Sequence, residues 1–123
     1  MRYDPDVAPD ARTWLELPEA DRLNAVRQHH RRSKLRAGSP EVHAIIHVAV
    51  ETQLAEGHPE ATAALDRLLQ EGLDRHEALH AIGSVLAEEL FDVMKAKRPH
   101  DAAVYARKLT GLTASSWRTK YTE

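Results

Sequence analysis

The sequence predicts an all-α fold, a single-domain bundle of about five helices around a central antiparallel pair. Three observations predict it. Aromatics are only 5% of the chain against 42% hydrophobic residues, so the core must be built from Leu, Ile, Val and Ala, the palette of packed helices. Apolar residues recur at helical spacing, and no run alternates as a half-buried strand does. Pro and Gly divide the chain into helix-length segments joined by two to five residues.

Taken in order, residues 1–12 carry Pro5 and Pro9 and read as an extended arm. A first helix is expected from Pro18 to about Leu35, with Pro18 suited to the first helical position and basic residues crowding the end. Ser39 is placed to cap a second helix from Pro40 to about Glu56, which stops at Gly57. Pro59 starts a short third helix that ends at Gly72. The longest periodic segment lies between Asp74 and Pro99. A last helix, HDAAVYARKLTGL, leads into a tail, residues 113–123, in which Trp117 and Tyr121 stand four apart and can pin a final turn to the bundle. The 123 residues form one domain, 1–123, able to bury roughly two-thirds of the surface its unfolded chain exposes.

Composition removes several classes of function. A formal net charge of -2 gives no general attraction to nucleic acid or anionic membrane. The absence of cysteine excludes disulfides, thiolate metal sites and a cysteine nucleophile. The N-terminus MRYDPDVAPD has no charged-then-apolar leader, and no apolar run approaches a membrane span, so a cytoplasmic protein is expected.

Chemistry concentrates in two places. In HAIIHVAVE, His43, His47 and Glu51 recur every fourth residue within a segment that is otherwise apolar. A four-residue step turns a helix only about 40°, so the three side chains form a shallow diagonal on one face. A helix apolar on its other faces belongs in the middle of a domain, where imidazoles and carboxylates are costly unless compensated. The fourth helix opens DRHEALH, where His76, Glu77 and His80 spell H-E-x-x-H. That spacing puts two imidazoles on one helix face for a single ion, with the glutamate beside them as a general base. Eight histidines and eleven glutamates in the chain give only about 0.05 copies of the motif by chance.

If the two helices are antiparallel neighbours, His47 and His80 lie near one level. Glu51 then approaches the start of the later helix, and His43 its next turns toward Ser84 and Glu88. Gly83, Ser84 and Ala87 form a small-residue strip that permits close approach. The expected metal ligands are His43, His47, His76 and His80, with Glu51 and Glu88 as further or outer ligands and Glu77 as the catalytic candidate. Of Glu88 and Glu89, Glu88 is expected to face inward. With no thiolate present, a divalent Zn, Fe, Ni or Mn ion suits the donors.

Plainer readings stand beside these. Asp74 and Glu77 also make a capping box, in which Glu77 serves the backbone. The histidines can form a metal-free network with Glu51 and Glu88. In HHRRSKLR, residues 29–36, Arg31, Arg32, Lys34 and Arg36 suit the negative end of a helix dipole as well as they suit an acidic partner. His30 can turn inward as a further ligand. His58 and His100, beside Pro59 and Pro99, read as solvated.

The segments WLELPEADRLNAVRQHHRRSK, HAIIHVAVETQLAEGHPE and LDRHEALHAIGSVLAEELFDV resemble a family of small bacterial domains of unknown function. Its members carry H-x3-H-x3-E followed by R-H-E-x2-H and a downstream Glu. The resemblance spans roughly residues 13–97; it implies that His43, His47, Glu51, His76, Glu77, His80 and Glu88 act as a unit, with His30 matching more loosely. It implies no reaction. True zinc peptidases set their motif helix beside a β-sheet, and no strand candidate occurs here, which argues against proteolysis. Two expectations follow: a helical metal-binding protein, with hydrolytic or oxidative chemistry open to it, or an interaction module with a metal-free His/Glu network and a basic contact segment at 29–36. Exposed helix faces leave room for a homodimer without requiring one.

Overall fold

A computed structural model describes residues 2–33 and 40–122, with side chains for these except 30–33, 40 and 120–122. Among the described residues there are seven helices and no strand: α1 (Ala11–Glu16), α2 (Glu19–Ser33), α3 (Pro40–Ala55), α4 (Pro59–Gln70), α5 (Arg75–Ala96), α6 (Ala102–Thr110) and α7 (Ala114–Thr122). The all-α expectation holds. The count of about five is exceeded because the chain is helical near both ends.

Local capping explains both additions. The Asp10 carboxylate accepts from the Thr13 backbone N–H at 3.0 Å and from the Thr13 hydroxyl at 2.8 Å, starting α1. Thr113 and Ser116 cap α7 reciprocally: each side-chain oxygen accepts from the other residue's backbone N–H, at 3.0 and 3.1 Å. His58, expected to be merely solvated, caps α4 through Nδ1, which accepts from Ala61 N–H at 3.1 Å. Gly57 and Gly72 end α3 and α4 at φ +74° and +101°, in the left-handed region that glycine enters without steric cost. The expected Ser39 cap lies outside the described residues.

α3 is the middle element. It packs against α1 and α2 and also against α4 and α5. Ala44 and Val48 join a small core with Tyr3, Trp14, Ala25 and Val26, while Val50 joins the main core of α4, α5 and α6. Burial from two sides is why its sequence is apolar on so many faces. Against α5 the approach is close: a Cβ added at Gly83 would lie 2.7 Å from Ile46 Cγ2. The small residue at position 83 therefore sets the distance between the two helices that carry the histidine pairs. No helix among the described residues is long and apolar enough to cross a membrane.

Candidate metal centre

Close packing of α3 on α5 brings both histidine pairs to one point. His43, His47, His76 and His80 each offer a ring nitrogen, and these nitrogens all lie within 4.8 Å of one another. His80 Nε2 stands 3.1 Å from both His43 Nε2 and His47 Nε2. Four nitrogens held about 2.0–2.1 Å from one tetrahedral ion would be about 3.3 Å apart. The two 3.1 Å separations at His80 are near that, while the bound on the whole set, 4.8 Å, is wider and would have to close around an ion. His76 Nε2 is buried and makes no hydrogen bond in the described structure. A buried ring nitrogen in that state is costly, and ligation would remove the cost. The residues present fit a divalent cation.

An outer layer orients the cluster. Tyr3 Oη donates to Glu51 Oε2 at 2.5 Å and stands 3.1 Å from His47 Nδ1. A tyrosine hydroxyl has one proton; with that proton on Glu51, its oxygen must accept from His47 Nδ1–H. The His47 proton is thereby fixed on Nδ1 and the Nε2 lone pair faces His80, the tautomer a metal requires. Glu51 is held in turn by Arg75, whose two terminal nitrogens reach its two oxygens at 2.8 and 2.9 Å. The Arg75 side chain is only 11% exposed and that of Glu51 1%, a buried bidentate pair.

The ionisation of these groups suits their roles. Burial, then the charge and hydrogen bond of Glu51, hold the Tyr3 hydroxyl far above the ordinary tyrosine range, so it stays a donor. Burial lowers His43, with His76 nearby acting in the same direction, favouring the neutral ring that binds metal. Burial opposes the Arg75 charge, but the bonds and charge of Glu51 outweigh it and leave the guanidinium raised.

Not every expected residue joins the cluster. Glu51 lies behind it, engaged by Tyr3 and Arg75. Glu88 is exposed, 3.6 Å from Lys108 Nζ, and Glu89 is the buried carboxylate of the pair. The reason is rotational: two four-residue steps from His80 carry Glu88 about 80° around the helix, while Glu89 follows Ala78, Ile82 and Val85 on the buried face. Glu77 is exposed, and its backbone N–H is capped by Asp74 at 2.7 Å. The side chains of His30 and of the basic run 31–36 lie outside what the structure describes.

Four side chains near the centre were absent from the expected set. Tyr3 sat in a segment read as an arm, and only its aromatic character marked it. Arg75 was visible as the residue before the H-E-x-x-H motif. His29, read as part of the basic run, makes edge-on ring contacts with Tyr3 and His76 at 6.0 and 5.9 Å between centroids. Trp117 borders a cavity of about 230 Å³ beside His43, His47 and His80, with Leu79, Gly83 and Ser84 among its walls.

Fold and site together define a small all-helical domain whose two central helices pool four imidazoles. The chain belongs to the family described as Domain of unknown function (DUF1841), which matches residues 16–111. That span contains all four histidines, Glu51 and Arg75 but neither Tyr3 nor Trp117. No curated protein and no solved structure matches the chain.

Proposed function

We propose that this protein binds one divalent transition-metal ion through His43, His47, His76 and His80. The observation that carries the reading is the convergence of four ring nitrogens within 4.8 Å, one of them buried without a hydrogen bond. An all-imidazole set suits Zn, Fe and Ni; Mn, which favours oxygen ligands, fits less well because neither Glu51 nor Glu88 is among the clustered donors. A bound ion of this kind supplies Lewis acidity. The chain's own residues then divide the work. Tyr3, Glu51 and Arg75 hold the His47 ring in its ligating tautomer. The cavity beside His43 and His80 gives a small molecule access. In a catalytic version of the reading Glu77 serves as base, since it stands between the two motif histidines in sequence and its side chain reaches solvent.

A second reading is supported by the 3.1 Å separations, which are also hydrogen-bond distances. In it the histidines form a metal-free network that fixes the register of α3 on α5. Elemental analysis of untagged protein decides between them. Stoichiometric metal, lost in His47→Ala and in His80→Ala, is expected; a metal-free, stable wild type would overturn the metal reading and leave the network.

A further inference from the structure

Residues 2–10 form a strap without regular secondary structure, laid against the middle of α3 and the start of α5. Its hydrogen bonds to those helices converge on the histidine centre. Tyr3 Oη meets Glu51 and His47. The Pro5 carbonyl accepts from Arg75 at 2.8 Å, with the same guanidinium nitrogen that holds Glu51. The Asp6 carboxylate accepts from the His76 backbone N–H at 3.2 Å. Each tie therefore ends on a candidate ligand, on Glu51 one turn beyond His47, or on Arg75 directly before His76. Tyr3 itself is 2% exposed, in ring contact with Trp14 and His47 at 5.8 and 6.0 Å.

We infer that docking of this strap and occupancy of the histidine centre are one coupled equilibrium, with Tyr3 as the positioning residue that joins them. The inference rests on the metal-binding reading. An ion on His47 Nε2 requires the ring proton on Nδ1, and that proton is the one Tyr3 accepts. With the strap undocked and no ion bound, nothing selects between the two His47 tautomers; the ion on Nε2 and the docked Tyr3 each select the same one. Ordering an irregular segment is entropically expensive, so an ion that has already made this selection tightens the strap. Coupling of binding equilibria is reciprocal: if the ion tightens the strap, the docked strap tightens the ion by the same factor. The N-terminal segment thus reports and regulates metal occupancy.

Cobalt(II) is the probe, titrated into metal-stripped full-length protein against a competing chelator, with hydrogen exchange followed across residues 3–10. In the wild type, loading should slow exchange in the strap. Tyr3→Phe keeps the ring packed and removes only the hydroxyl; it should weaken cobalt binding about ten- to a hundredfold, the usual scale for loss of a group that orients a ligand. Asp6→Ala, at an exposed position whose tie is to the His76 backbone rather than to His47, should weaken it severalfold, and it keeps the test intact if Tyr3→Phe folds poorly. A purely structural role for Tyr3 would lower the melting temperature and leave affinity alone. Wild-type affinity in both variants, or strap exchange indifferent to cobalt, overturns the coupling while the metal reading stands. A wild type that binds no cobalt overturns both.

Discussion

The two ends of α5 each bury a glutamate against an arginine, and they use it differently. At the N-terminal end, Glu51 from α3 has both oxygens engaged, by Arg75 and by Tyr3, and through Tyr3 it orients a ring of the histidine cluster. At the C-terminal end, Glu89 is fully buried, yet only one oxygen is bonded, by Arg98 at 2.8 Å. Its Oε2 makes no hydrogen bond in the described structure; His100 Nδ1 stands 3.7 Å away and Lys108 Nζ lies 3.8 Å from Oε1. The cations at this end are more open, the Arg98 side chain being 35% exposed. One carboxylate is a relay to a site; the other ties the end of α5 to the chain that follows it. Equal burial does not imply equal function; what the partner touches next decides it.

The sharpest way to break the comparison is to neutralise both. Glu51→Gln leaves the Arg75 guanidinium buried without its counter-charge, which should cost about 3–5 kcal/mol in denaturant unfolding of metal-free protein and also weaken metal binding. Glu89→Gln should cost less, about 1–2 kcal/mol, because Arg98 can return to water, and metal affinity should not change. An equal loss of metal affinity in both variants would erase the distinction.

The alkaline limb of stability sharpens it further. Burial pushes Tyr105 up to about 12, against the pull of its hydrogen bond to Gln53. A folded-state value above the unfolded one means that the contribution is whole below about pH 10 and is lost as pH rises through 12. By pH 11 Tyr105 alone should account for about 1 kcal/mol of lost stability, a portion absent in Tyr105→Phe when unfolding is measured from pH 9 to 11.5. The smallest contrast lies at the start of α5. Asp74→Ala should cost about 1 kcal/mol through loss of the cap, whereas Glu77→Gln should stay within about 0.5 kcal/mol. Melting curves check both, and unchanged metal content in Glu77→Gln is expected.

Much of the fold was legible because helices announce themselves locally. Pro40 and Pro59 at helix starts, Gly57 and Gly72 beyond helix ends, and Asp74 three residues before Glu77 all act within one turn of chain. The helix over 114–122 was read only as a final turn around Trp117 and Tyr121 although its Thr113/Ser116 cap was in plain sight, since a serine in place of Glu or Gln weakens the usual signature. The two histidine pairs were legible for the same reason: a four-residue spacing is a property of one helix.

By itself, then, the sequence determined the five inner helices, α2 to α6, and the presence of two imidazole pairs on two of them. Tertiary packing decided the rest: that Glu89 and not Glu88 turns inward, that Glu51 backs the cluster through Tyr3, and that Arg75 holds Glu51. The physical reason is range. Periodicity and caps act over three or four residues, while the bonds from Tyr3 to His47 and Glu51 span 44 and 48 positions. The Arg75–Glu51 pair and the His80–His47 approach cross between α3 and α5, which Gly83 lets close on each other, and no spacing within one segment encodes that approach.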